Sequence, residues 1–568
     1  MGIRDFLWDY PIGVSSFVRR FSLLFVILAG AVIALLFITT LMESIGGHQA
    51  KLLFRNTLRY GVVGQFVAIN PIEVGASEPE QVLAKLLYNS LIANDGSGRF
   101  YPELAETWGI SPDGKEYTFY LRKGVKWHDG YEFTAKDVAT TFELMKSGDT
   151  ETTFGSLAKE VEVSVQGLYK VAFTLKQVNA TFLELLLTPI LPDHLYANLS
   201  YSRVVELGDS ISSVGTGPYR LDRQDGQVLI LKANQQYFKG TAKIPEIVIE
   251  VFPTYSLAEK AFLGGEVHAI SPIEVRDISR LERVAKTSSR VVIQPIVEAN
   301  NTRMLLFNVQ KASTYLGKNL VIRQAVMKSI DREQLVSLFP GSELAFGPLS
   351  KTSLMYSPTV ETITGLSMND ANSLLEKDGW HYPYSGASYR TKGDIELKIT
   401  LTYLDTETNS EIAQNLRKQL LAEGINLLFN KVSEDVLLQQ VLPQKEFELL
   451  LFEIHTGVDP DQYGLWHSSQ TNFPALNLSE YNSSEVDTLL ERGRLQMNLD
   501  KRTEIYKQFQ EKLTADAVAI FLYHPAFYEV YFDIIDRNVP LTVSSSTDRF
   551  TGVNTWTLMP GWRNWQTR

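Results

Sequence analysis

From Phe21 to Met42 the chain reads FSLLFVILAGAVIALLFITTLM, 22 residues without a charge. A helix rises about 1.5 Å per residue, so the run would reach about 33 Å, enough to cross a hydrocarbon core of about 30 Å. Arg19 and Arg20 precede the run and Glu43 follows it, an asymmetry that keeps residues 1–20 in the cytoplasm and sends the rest outside. The run is therefore read as a single transmembrane helix at 21–42, followed by a tether at 43–54. The competing reading is a cleaved leader, whose apolar core runs about 7–15 residues. The nearest small-x-small site for such cleavage is Ser44-Ile45-Gly46. Either way the body is exported, and no later segment approaches about 18 consecutive apolar residues.

Cysteine is absent from all 568 residues. That excludes a disulfide, a thiolate zinc site, an iron–sulfur cluster, a cysteine nucleophile and a lipid on an N-terminal cysteine. Lys+Arg 54 against Asp+Glu 65 leave a net charge of -11, so a grip on a nucleic-acid backbone is disfavoured, since that binding draws on clustered Lys and Arg. At about 150 residues per domain the length predicts three or four lobes.

The exported body alternates strand and helix patterns. Strand composition marks 57–66, 116–122, 228–234, 246–252, 395–403, 425–432 and 447–454. Helical spacing marks 79–92, 133–146, 257–263 and 411–424, the last closed by Gly424 in the manner of a C-cap. Such alternation predicts an α/β architecture with several sheets. The tail GWRNWQTR at 561–568 has no periodicity. It reads either as an aromatic-basic interaction motif or as the translated start of a leucine tRNA gene, and it is assigned no structure and no function.

Catalytic signatures are missing: no GxSxG elbow, HExxH, GxxxxGK[ST] or GxGxxG occurs. The eight histidines are scattered, none at helical ligand spacing. Longer blocks carry the positive signal. LAETWGISPDGKEYTFYLRKGVKWHDGYEFTAKDV (104–138) combines a Leu-Ala-x-x-Trp opening, an Asp-Gly-Lys turn, a Trp-His-Asp-Gly turn and a Thr-Ala-x-Asp-Val helix start. GTGPYRL (215–221), NQQYFKG (234–240), LLFNV (305–309), VIRQAVMKSIDREQLV (321–336), DANSLLEKDGW (370–380) and YNSSEVDTLL (481–490) follow in order. Together these resemble the extracellular solute-binding protein family 5, the peptide-, oligopeptide- and nickel-binding receptors of ABC importers, over about residues 57 to 535. Within the blocks, Trp108, Trp127 and Phe119 read as packing residues, Asp113-Gly114 and Asp129-Gly130 as turns, and Arg323 and Asp331 as helix supports.

The resemblance implies a periplasmic-binding-protein-like type II fold, with two main lobes plus an extra lobe and a ligand enclosed between hinged lobes. Carried over by segment, lobe I takes 55–90, 209–300 and 520–560, lobe II takes 91–208 and lobe III takes 301–519. It implies no enzyme chemistry and no cofactor. The implied partners are an oligopeptide or other small solute and the permease subunits of an ABC transporter with their ATPases. An oligosaccharide or a nickel complex is the alternative ligand within the class, and a surface-anchored hydrolase the alternative outside it.

The expected ligand-facing segment is LLLFEIHTGVDPDQYGLWHSS (449–469), because α/β folds place ligands where strands end. Family dipeptide binders carry an aspartate just after the glycine, paired with the peptide's α-ammonium group. Here Val458 follows Gly457, so Asp459 or Glu453 is expected to substitute, with Thr456 and Gly457 beside them. His455, Tyr463 and Trp466 are the aromatic candidates for lining the cleft, Trp466 against a side chain or a sugar ring. Phe307, Asn308 and Gly217 complete the expected contacts. One outcome tests the anchor directly. Replacing Leu28 and Leu35 together by Arg, each costing about 2.5–3.5 kcal/mol at mid-membrane, should release or misplace the body, as read by membrane fractionation.

Overall fold

The computed structural model describes residues 56–69, 77–148, 157–207, 213–288, 290–310, 315–365 and 367–559. The expected cytoplasmic segment, membrane helix, tether and tail lie outside the described residues. Among those described, no helix is long and apolar enough to cross a membrane.

The β-branched run Glu246–Phe252 pairs in parallel with Thr57–Val63 and antiparallel with Val228–Ala233. Leu58, Tyr60, Leu231, Ile247 and Ile249 are thereby buried. These strands lie within an eight-stranded mixed sheet. Its order is Thr542–Val543, Val291–Glu298, Ala526–Phe532, Ala269–Ile273, Thr57–Val63, Glu246–Phe252, Val228–Ala233 and Tyr219–Asp225. A second mixed sheet of six strands runs Glu343–Leu344, Ala519–His524, Asn301–Phe307, Leu449–His455, Lys398–Leu404, Asn426–Val432. A third sheet, wholly antiparallel, takes Ala105–Ile110, Glu116–Leu121, Lys170–Leu175 and Val161–Gly167. Each of the three has its own apolar core.

The chain passes between the two large sheets twice. It leaves Val291–Glu298 and enters Asn301–Phe307 across Ala299 and Asn300, and it returns from Ala519–His524 to Ala526–Phe532 across Pro525. Ala519–His524 pairs with Asn301–Phe307 in the six-stranded sheet, so the chain returns to the eight-stranded sheet at Pro525, a few residues after the expected 519/520. The two passages touch: Glu298 N donates to Pro525 O at 3.0 Å, while Ala299 N donates to Val543 O at 2.9 Å.

Local signals explain several element ends. The helix expected at 411–424 spans Glu407–Ala422. It closes with Gly424 N on Leu421 O at 3.0 Å and Ile425 N on Leu420 O at 2.9 Å, a Schellman pair that needs the φ of +74° at Gly424. The helix expected at 79–92 stops at Leu87, because Ile92–Asn94 turns away to pair with Phe100–Pro102. In the Thr-Ala-x-Asp-Val block, Asp137 accepts from Thr134 N at 2.6 Å and from Asp193 N at 2.7 Å. It caps its helix and ties a later segment to it. His128 of the Trp-His-Asp-Gly turn accepts from Gly215 N at 3.1 Å through Nδ1, and its Nε2 lies 3.1 Å from Gly217 O. Burial pulls its pKa down to about 4, so the ring is neutral and clasps the Gly-Thr-Gly block.

Arg323 illustrates support at a helix end. Its guanidinium donates to Ala517 O at 3.0 Å, Leu316 O and Gly317 O at 3.0 Å each, and Asp516 O at 3.1 Å. It thus satisfies carbonyls left open where the Leu499–Ala515 helix ends. Arg323→Met should lower stability by about 3 kcal/mol, seen as an earlier urea midpoint with an unchanged slope.

Candidate functional site

Strand Leu449–His455 runs antiparallel to Asn301–Phe307, with His455 opposite Asn301 and Glu453 opposite Arg303. The two-residue period of a strand puts Glu453 and His455 on one face. Glu453 is ion-paired with Arg303 and accepts from Asn301 Nδ2 at 2.6 Å. His455 is exposed. The strand ends at the first chain passage: Thr456 donates to Asn300 O through N at 2.8 Å and through Oγ1 at 3.2 Å. Asn300 Nδ2 returns a bond to Gly457 O at 3.0 Å. The start of the loop is therefore clamped to the backbone that joins the two large sheets.

The other expected residues are placed differently. Asp459 is 4% exposed, and both its oxygens are taken by Arg502, at 2.8 and 2.7 Å. It has no free oxygen to serve as the amine anchor. Asp461 is held by Arg494 at 2.7 Å. Tyr463 is sandwiched, stacked on His467 with centroids 4.0 Å apart and covered by the Arg494 guanidinium at 3.9 Å. Trp466 is buried in the core of the six-stranded sheet, with its indole N–H on Gln462 Oε1 at 2.8 Å and its ring edge-on to Phe521. Phe307 lies in the same core. Asn308 is buried, its amide donating to Lys445 O at 3.0 Å. Gly217 packs against the end of the Glu78–Leu87 helix, with its N–H on Leu87 O at 2.8 Å. Of the ten expected contacts, the structure brings together Glu453, His455, Thr456 and Gly457 at the passage and gives the other six structural duties.

Sequence reasoning missed Glu298, the last residue of the strand that precedes the passage. No Lys, Arg or His among the described residues pairs with it. Burial, then Glu78 and Glu453, push its pKa up to about 7, partly offset by Asn301 and the Ser546 amide. Glu78 itself is held by Arg549 at 2.7 Å and by Ser546 Oγ at 2.6 Å. The passage therefore carries one carboxylate that no cation compensates, next to acids already neutralised by their own arginines. Nothing in the residues around 298 signals this, because it depends on which acids found partners. Among the described residues, no three His, Cys, Asp or Glu side chains converge as a metal ion would require.

Removing the Asp459 carboxylate leaves Arg502 buried and unpaired, which costs about 3–5 kcal/mol. Asp459→Ala should therefore lower the unfolding midpoint strongly, and the double change Asp459→Leu with Arg502→Met should recover most of that loss in the same measurement.

Comparisons with known proteins agree with this architecture. The oligopeptide-binding protein AppA of Bacillus subtilis is 26% identical over 478 residues, covering 82% of this chain and 85% of that protein. The solved structure of AppA in complex with a nonapeptide superposes with a TM-score of 0.66 at 24% identity, over 89% of this chain and 99% of that one. NikZ of Campylobacter jejuni, solved in complex with Ni(L-His), gives a TM-score of 0.70 at 24% identity, over 89% and 99%. These likenesses establish the mixed α/β, periplasmic-binding-protein-like type II fold. The relatives are solute-binding proteins and not enzymes, which sets the hydrolase alternative aside. The description "Bacterial extracellular solute-binding proteins, family 5 Middle" matches residues 99–474, and the chain belongs to that family.

Proposed function

We propose that this protein is the substrate-binding receptor of an ABC importer, capturing oligopeptides between the eight-stranded and six-stranded units and presenting them to the permease. In this reading the eight-stranded sheet is the core of lobe I, the antiparallel sheet of lobe II and the six-stranded sheet of lobe III. The apolar run at 21–42 holds all three at the membrane surface. Open and closed states differ by rotation about Ala299–Asn300 and Pro525, and a ligand that touches both large lobes favours closure by its extra affinity for the closed state.

The observation that carries the peptide reading is the uncompensated carboxylate of Glu298 at the passage. A peptide's α-ammonium group supplies the missing cation there. Glu453 and Asp459 do not serve, because Arg303 and Arg502 already occupy them. The oligosaccharide alternative loses its aromatic platform, since Trp466 lies in the core. The nickel alternative draws on relatives such as NikZ and the nickel-binding periplasmic protein of Escherichia coli.

Thermal unfolding of the purified protein against peptides of two to ten residues, oligosaccharides and nickel chelates tests the reading. A ligand at 100 times its dissociation constant adds about 2.7 kcal/mol of native stability. Free-amine peptides should raise the midpoint and N-acetylated copies should raise it less, whereas sugars and chelates should not. Glu298→Gln should weaken free-amine peptides about tenfold, or about 1.4 kcal/mol, and leave the weaker acetylated copies unchanged. The pH sign follows from the raised carboxyl. Glu298 ionises as pH rises through about 7 and the bound ammonium favours the ionised form, so affinity should climb from pH 6 toward 7.5. Above that the peptide amine, whose pKa is about 8, loses its proton and affinity falls. A shift with sugars alone would keep the receptor role and replace the substrate.

A further inference from the structure

The loop at 457–461 is held from a second direction by a side chain of the antiparallel-sheet unit. Glu184 sits on the short helix Phe182–Leu185, which follows the Lys170–Leu175 strand. Its Oε1 accepts from Val458 N at 2.6 Å and lies 3.5 Å from Asp459 N. A Cβ added to residue 457 would meet the same oxygen at 1.8 Å, so the carboxyl reaches these amides only because Gly457 has no side chain. The surrounding seam is sparse and mostly backbone. Ala180 N donates to Arg494 O at 2.7 Å, Leu354 N to Ser97 O at 3.0 Å, and the Tyr117 hydroxyl lies 3.7 Å from Met497 Sδ.

We infer that Glu184 is a positioning residue: its carboxyl latches the antiparallel-sheet unit onto the backbone amides of Val458 and Asp459, and so fixes the loop that leads out of the passage. The charged groups facing it are all committed elsewhere. Asp459 is bound by Arg502, and Asp461 by Arg494. No cation among the described residues pairs with Glu184 itself; it faces two carboxylates whose arginines are turned to them. Burial, then Asp459, push its pKa up to about 8 from an ordinary 4.5, so the docked group is neutral at pH 7. When the seam opens, Glu184 meets water, returns to an ordinary pKa and releases its proton to solvent. Docking is thus fully supported below about pH 4.5, weakens as pH rises, and levels off above about pH 8.

The latch itself does not depend on what the receptor binds; only its effect on ligand capture rests on the peptide reading. The test therefore uses the full chain with no ligand added. Hydrogen exchange of the segment 456–461, corrected for the intrinsic pH dependence of exchange, reads opening of the seam. In the wild type, protection should fall at least tenfold between pH 6 and pH 8. Glu184→Gln keeps a neutral carbonyl acceptor, so protection should persist and lose that pH dependence. Glu184→Ala should exchange rapidly at every pH, while the Lys398–Leu404 strand, in the core of the six-stranded sheet, stays protected as in the wild type. Protection independent of pH in the wild type would overturn the proposal, as would unchanged protection of 456–461 in Glu184→Ala. Should the alanine variant fail to fold, the wild-type profile and the glutamine variant decide the matter alone.

Discussion

Two short lengths of backbone carry the mechanical relation between the large sheets. The strands on either side are held by their ladders, so dihedral freedom between the units is confined to Ala299, Asn300 and Pro525. Proline fixes φ and offers no N–H, which makes the return passage the stiffer of the two. Thr456 grips Asn300 O through both its amide and its hydroxyl, and Asn300 grips Gly457 O in return. On the proposed rotation about the passage, the start of the loop would move with Asn300. A ligand lodged against this loop would act on the hinge without any intervening relay.

The strand–helix alternation was legible because its cause is local. Glu246–Phe252 has the bounds that its run of branched residues predicts, and the Lys398–Leu404 and Asn426–Val432 strands lie within a few residues of theirs. Gly424 ends its helix through a φ that the residue type itself announces. The signature blocks were legible as a pattern but not as a mechanism. Only the fold shows that His128 of one block clasps Gly215 and Gly217 of another, or that Arg323 exists to satisfy four carbonyls. The edges of the helix at Glu78–Leu87 were misjudged because a pairing with Phe100–Pro102, invisible in one dimension, stopped it early.

The candidate site was less legible, for an electrostatic reason. A sequence gives the acids but not their partners. Asp459 and Asp461 lie 43 and 33 positions from the arginines that neutralise them, and Glu453 is answered by an arginine on the neighbouring strand. Each looks equally available in the sequence. Glu298 acquires meaning only once those three are subtracted. Aromatic residues pose the same problem: Trp466 and Tyr463 sit four residues from Gln462 and His467 and use those neighbours to complete their own packing, which a reading of residue types mistakes for surface available to a ligand.

The adjacency of the two passages also bears on ancestry and engineering. The stretch between Asn301 and His524 leaves the eight-stranded sheet and rejoins it at neighbouring points, bridged by the Glu298 N to Pro525 O bond. Topologically it is an insertion, a unit of continuous chain spliced into one gap of a host. Close ends are what allow a host to accept a graft without strain, so this unit is exchangeable as a module. A swap would have to carry over the contacts of the Gly457 loop with Asn300 and Glu184 and of Arg494 O with Ala180 N, since these are among the places where the inserted unit meets the rest.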